Sequence, residues 1–342
     1  MSLAAQRRLR ILLATALVTG LLAGCGTTSP SAPPSTGQPT PLTVGLGYIP
    51  DVQFAQFYLA DRAGYYRAAG LDVTFENKTD PDLVTLVGQG TVDIGIADGT
   101  SLIPAVSQGI PVRYVATVYA DFPNVVFAKT SAGIGGPGDL KGKRLGIPGK
   151  YGSSWIMLQA LLASVGLSPA DLEIVAFPDY GQGIAVREDI VDAATGFVNN
   201  EPLRLERSGQ AVVVLRVDAV TPLPGPGLIT GARTLAGPKR DALRAFVAAT
   251  LRAMREIAAD PEQGLDAAIA VVPQIGDDRE GQLAVLRATV DAWQSGYTGE
   301  HGWGAIDEGA WTRSIDFMSG LPDSPVAKPV TVDQLVTQEL LP

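Results

Sequence analysis

LTVGLGYIPDVQFAQFYLADRAGYYRAAGLDVTF (residues 42–75) reads as strand, polar and aromatic corner, helix and strand. Its first segment, LTVGLGY, is a short apolar run. The segment from about Val52 to Ala69 then sets Phe54, Phe57 and Tyr58 at i, i+3 and i+4 on one helical face, and LDVTF (71–75) is the next strand. Outward from this unit the pattern repeats with a helix over 81–89, the strand DIGIAD (93–98), a helix around 101–108 and the strand RYVATVY (113–119). Strands alternating with helices call for an α/β domain in which helices cover a parallel sheet joined by right-handed crossovers.

A second unit with the same pattern starts near Asp121. NVVFAK, the strands RLGIPG (144–149), LEIVAF (172–177) and AATGFV (193–198), helices over 153–165 and near 181–190, and a closing strand AVVVLRV (211–217) follow in order. TPLPGPG (221–227) reads as a return crossing, because GLITGAR after it has the composition of another strand. The remainder, 236–342, is mostly helical and is expected to pack back on the first unit. This divides the body into lobe 1 (41–120 plus 225–342) and lobe 2 (121–224), joined by two crossings. A single doubly wound domain with an unrelated helical tail is the competing architecture. In the two-lobed case the carboxyl ends of two sheets face each other, which is where open α/β sheets bind small molecules.

The chain has 342 residues, enough for two such units, and a formal net charge of −9. Arg7, Arg8 and Arg10 precede an apolar or small run from Ile11 to Leu22 that ends in Leu22-Ala23-Gly24-Cys25. A charged n-region, a short apolar core and small residues before a cleavage point are the parts of an export signal. The apolar run is about half the ~20 residues of a spanning helix. The tetrapeptide resembles the bacterial lipobox, which implies cleavage after residue 24 and acylation of Cys25. Residues 26–40, GTTSPSAPPSTGQPT, cannot bury a core and suit a flexible linker to a lipid-anchored, extracytoplasmic body. Arg7-Arg8 matches twin-arginine export poorly in its surroundings. Loss of the three arginines makes the remainder still more acidic, which argues against a nucleic-acid partner held through phosphates. With one Cys and one His in the chain, a Cys/His metal site, a Cys–His catalytic pair and an intrachain disulfide are excluded by counting. ENKTDPD (76–82) does not have EF-hand spacing, and GIGGPGD (133–139) lacks the Lys-Ser/Thr end of a P-loop.

Four strand-to-helix corners concentrate the polar and aromatic groups, each beside a helix start whose N–H groups are free. The candidates for ligand contact are Tyr48, Asp51, Gln53 and Phe54 at the first corner and Asp98, Thr100 and Ser101 at the second. Tyr151, Ser153, Ser154 and Trp155 stand at the third, and Tyr180 at the fourth, with Asn199 and Glu201 ending the strand that follows. Asp51, Asp98 and Ser153 are also ordinary N-cap types, and the rings could be core or rim aromatics. In a chain with 6% aromatics, however, Tyr at three of four corners and Trp beside one suggest stacking surfaces for a flat ring. Lys150 is the one basic residue in these segments, where an anion would call for Arg forks. A neutral or weakly basic, ring-containing compound with several hydrogen-bonding groups fits better.

GYIPDVQFAQFYLADRAGYYRAAGLDVTF (47–75), LVGQGTVDIGIADGTSLIPAVSQGIPVRYVATV (86–118), DLKGKRLGIPGKYGSSWIMLQALLASVGL (139–167) and the C-terminal VTVDQLVTQELLP together resemble the substrate-binding proteins of the thiamine-pyrimidine-synthase/taurine-binding superfamily. The likeness extends over essentially the whole chain after the leader. PGKYGSSW and GFVNNEP resemble the vitamin-binding branch, and its flavin-binding members in particular. The resemblance implies a two-lobed periplasmic-binding-protein fold of type II with two crossover strands, acting as the receptor of an ABC importer with permease and ATPase partners. Riboflavin is the expected ligand, with the formylaminopyrimidine or hydroxymethylpyrimidine precursor of thiamine as the alternative and a pyrimidine-synthase-like enzyme as the remote one. The family's enzymes use a Cys-rich motif with His and Lys. Here the one Cys, Cys25, is spent on lipid and the one His, His301, lies in an HGWG loop, so the expectation is binding without catalysis, cofactor or metal.

Overall fold

The computed structural model describes residues 38–78, 82–217, 220–321 and 324–342. The signal-like segment, Cys25 and most of the linker lie outside the described residues. Among the described residues ten strands follow in order: β1 (Thr40–Leu46), β2 (Leu71–Asn77), β3 (Ile94–Ala97), β4 (Val112–Thr117), β5 (Asn124–Lys129), β6 (Arg144–Ile147), β7 (Glu173–Ala176), β8 (Ala193–Phe197), β9 (Val212–Arg216) and β10 (Gly227–Gly231). They form two five-stranded sheets, ordered β2-β1-β3-β10-β4 and β7-β6-β8-β5-β9. The chain leaves the first sheet after β4 and returns to it as β10, so the second sheet is an insertion between two crossings.

The sheets are mixed, which corrects the expectation of parallel ones. β1 pairs in parallel with β2 and β3, and β6 with β7 and β8. β10 is antiparallel to both β3 and β4, and β5 to both β8 and β9. The antiparallel strands are the ones that enter a sheet directly from a crossing, without a covering helix to reverse direction first. Gly227 permits the return: a Cβ there would stand 2.2 Å from the Tyr114 ring and 2.4 Å from the Ala116 carbonyl oxygen.

The expected helix over 52–69 is also broken into pieces. A 3-10 turn, Val52–Phe54, leads into the helix Ala55–Arg62, and after Gly64, at φ 75°, a short turn Tyr65–Ala68 follows. The left-handed backbone at Gly64 stops propagation where a side chain would be strained. The apolar face survives the break, because Phe54, Phe57 and Tyr58 are all buried. C-terminal helices pack on the first sheet. Leu243, Phe246, Val247 and Leu251 of the helix Arg240–Ala259 share a core with Leu42, Val44 and Phe57. The second core joins residues from both strand systems, including Leu102 and Ile103 with Ile156 and Met157. Among the described residues no helix is long and apolar enough to cross a membrane.

Candidate functional site

The carboxyl ends of the two sheets enclose a cleft. Its first wall carries Tyr48, Gln53, Phe54, Asp98 and Tyr119, and its second carries Tyr151, Ser153, Ser154, Tyr180, Gln182, Phe197, Asn200 and Glu201. Each corner was built by local rules. Asp51 caps the turn after β1 by accepting the Gln53 N–H at 3.1 Å. Asp98 caps the helix Gly99–Ser107 by accepting the Thr100 N–H at 2.9 Å and its hydroxyl at 2.5 Å. Tyr180 is held at φ 61°, a conformation rare for a bulky residue. That turn sets its ring edge-on to Tyr48, with centroids 4.6 Å apart. A second cross-cleft aromatic pair, Tyr119 with Phe197, has centroids 6.2 Å apart.

Of the residues expected from the sequence, Tyr48, Gln53, Phe54, Asp98, Tyr151, Ser153, Ser154, Tyr180 and Glu201 line the cleft. Asp51, Thr100, Ser101, Trp155 and Asn199 are not among the lining residues. Asp51 is turned to Arg204, whose Nη2 lies 2.9 Å away. Thr100 and the Ser101 N–H are spent on Asp98. Trp155 packs on the second core with Lys150 Nζ 5.7 Å from its ring. Asn199 reaches across to the first wall, donating to Gln53 Oε1 and Thr289 Oγ1, each at 2.8 Å. Lys150 is the one basic residue within the corner segments, and Arg204, one helical turn beyond Glu201, adds a cation behind them that bridges to Asp51 and Gln282.

Tyr119 and Phe197 were not singled out from the sequence, and Gln182 and Asn200 stood within the fourth corner, Asp179 to Gln182 with Asn199 to Glu201, without being chosen as contacts. Tyr119 and Phe197 close strand-like runs, where an aromatic residue is indistinguishable from core. Gln182 carried a faint signal, because it directly follows the Tyr180-Gly181 corner. His301 is exposed, stacked on Tyr297 and bonded through Nδ1 to its carbonyl oxygen at 3.1 Å, and is not a lining residue.

Burial governs the electrostatics. Glu201 accepts the Phe197 N–H at 2.9 Å, yet desolvation pushes its carboxyl up to about 7, with a smaller upward contribution from Asp51. Asp51 is also raised by burial, against the opposing pull of Arg204. Desolvation raises Asp98 as well, opposed by hydrogen bonds from Thr100, Ser101 and Ser153. Among the described residues no group of His, Cys, Asp and Glu is arranged to hold a metal ion. The site therefore offers rings, amides, hydroxyls and carboxyls raised by burial, a set suited to holding a flat polar molecule by stacking and hydrogen bonds.

Two sheets joined by two crossings, with the cleft at their carboxyl edges, define the periplasmic-binding-protein fold. The alkanesulfonate-binding protein SsuA from Xanthomonas axonopodis pv. citri shares it, with a TM-score of 0.68 and 17% identity over 88% of this chain and 99% of that one. Residues 51–264 match the family described as NMT1/THI5 like, and the chain belongs to that family. It is 33% identical to the riboflavin-binding protein RibY of Chloroflexus aurantiacus over 98% of each chain. It is also 26% identical to 4-amino-5-hydroxymethyl-2-methylpyrimidine phosphate synthase of Legionella pneumophila, over 68% of this chain and 74% of that one.

Proposed function

We propose that this protein is the substrate-binding component of an ABC importer and that its ligand is riboflavin. The observation that carries the reading is the cleft itself, in which rings from both walls, Tyr48 and Tyr119 against Tyr180 and Phe197, flank amides and carboxyls. Full-length similarity to a riboflavin-binding protein supports the choice among flat ligands. The similarity to a pyrimidine phosphate synthase is lower and covers less of the chain, so binding is favoured over catalysis.

The mechanism is closure. Lobe 1 (41–120 plus 225–342) and lobe 2 (121–224) move about the two crossings. A ligand touching both walls favours the closed state by its differential affinity for it, and the permease recognises that state. Apolar contact with the isoalloxazine ring supplies much of the affinity, and polar side chains fix its orientation. Contacts across the cleft, Asp51 with Arg204 and Asn199 with Gln53, hold the closed form. Acylated Cys25 and the residues 26–40 tether the body on the extracytoplasmic side, and globomycin, which blocks lipoprotein signal cleavage, should leave a heavier precursor.

Titration of the protein with riboflavin, read by quenching of tryptophan and flavin fluorescence, tests the ligand. Saturable binding at micromolar or lower concentration is expected, with none for hydroxymethylpyrimidine or formylaminopyrimidine. A response to a pyrimidine alone overturns riboflavin and leaves the transport reading. Turnover of a co-purified ligand, detected by mass spectrometry, overturns the binding reading.

A further inference from the structure

Gln182 sits against Gly146 of β6, where an added Cβ would come within 3.2 Å of the Gln182 Cβ. Its side chain is buried and lines the cleft. Nε2 donates to the Thr195 carbonyl oxygen in a long bond of 3.4 Å, while Oε1 has no partner. A carbonyl oxygen can only accept, so the contact with Thr195 fixes which end of the amide is which. The result is a buried acceptor without a donor, next to an amide group with one hydrogen uncommitted. Such an arrangement is costly unless something completes it.

Asn199 Oδ1 is likewise unpartnered, but its side chain is not among those lining the cleft. Gln182 combines both properties. An acceptor beside a donor is the complement of an N–H beside a carbonyl or ring nitrogen, the edge presented by the imide of an isoalloxazine and also by an aminopyrimidine.

We propose that Gln182 is the specificity-determining residue of the cleft, reading the N–H and adjacent carbonyl of the flavin's imide edge through Oε1 and Nε2. This rests on the riboflavin reading above. It predicts selectivity through an unmade bond, because a ligand without that N–H leaves Oε1 buried and unpaired.

The test compares riboflavin with 3-methylriboflavin, which keeps the ring and ribityl chain but lacks the N–H, on the wild-type protein and on Gln182→Ala and Gln182→Leu. Wild-type protein is expected to bind the methylated compound about tenfold or more weakly. Both variants are expected to bind riboflavin more weakly and to bring the two ligands within about threefold of each other, since the discriminating acceptor is gone. The wild-type comparison needs no variant to fold. Equal affinity of wild-type protein for the two flavins, or full discrimination retained by a folded variant, overturns the assignment of Gln182 while leaving riboflavin as ligand. Failure of wild-type protein to bind riboflavin overturns the ligand reading and this assignment with it.

Discussion

The two walls of the cleft treat their polar groups differently. On the first wall they are spent at home or on the closure: Asp98 is engaged by Thr100 and Ser153, Gln53 Oε1 by Asn199, and Asp51, just behind, by Gln53 and Arg204. On the second wall capacity is left over. Gln182 Oε1 has no partner, the Glu201 carboxyl is held near neutrality by burial, and Tyr151 is 37% exposed. The first wall behaves as a built shelf and the second as the face that reads what lands on it. Substitutions behind the shelf should therefore change stability and closure, and substitutions on the reading face should change ligand choice and pH response.

Glu201 gives the largest separation. Its carboxyl is raised from an ordinary 4.5 to about 7 in the folded protein, so the native state binds a proton more tightly than the unfolded chain. The stabilisation from this group is fully present below about pH 4.5 and is lost as pH rises through about 7, of order 3 kcal/mol in all. Glu201→Gln should remove that slope. The measurement is the difference in urea midpoint between wild-type and variant from pH 4 to 8. Asp51 and Asp98 are also raised but are present in both proteins, so the difference reports Glu201 together with its coupling to Asp51. Parallel curves would place no strained carboxyl on the second wall.

Arg204→Ala comes next. It leaves the buried Asp51 without its cation, held only by hydrogen bonds from Gln53 and Val52, and also removes a contact with Gln282. Arg204 is about two-fifths exposed, so solvent screens the pair, and a loss of about 1–2 kcal/mol is expected rather than the larger cost of a fully buried break. Asp51→Asn in the same chain should recover part of it, because the unpaired charge is gone. Thermal unfolding measures both, and a larger radius of gyration in solution scattering would report the weakened closure. No change in either would mean that this pair holds nothing shut.

How much of this was visible beforehand depended on range. The βα units, the corners and the aromatic clustering follow from runs of a few residues, and both lobes could be read from them. Sheet direction could not, because β5 and β10 look like their neighbours and differ only in how the chain enters the sheet. The Asp51–Arg204 pair joins positions 153 residues apart, and no local pattern marks an arginine inside an ordinary amphipathic helix as a partner for a distant cap. Tyr119 and Phe197 were hidden by the same logic, since an aromatic residue at the end of an apolar strand satisfies the core pattern whether or not it faces a cleft. Gln182 is the converse: its neighbourhood was legible, but its unmet hydrogen bond exists only in three dimensions.

Asp98 gives the smallest effect and the sharpest test of the shelf. Its carboxylate caps the helix Gly99–Ser107 and also lines the cleft, so capping and ligand contact are superimposed in one side chain. Serine keeps a capping oxygen without the second carboxylate oxygen, whereas alanine keeps neither. Asp98→Ala should therefore cost about 1 kcal/mol and Asp98→Ser only a few tenths. Melting temperatures of the ligand-free variants give the capping share. Riboflavin affinity, measured on the same two proteins, gives the rest. If affinity follows stability, falling for alanine and holding for serine, Asp98 acts on the ligand only by shaping the corner, as a residue of the shelf should. If serine keeps the melting temperature but loses affinity as fully as alanine, the carboxylate itself touches the ligand, and the division between a built wall and a reading wall fails at this position.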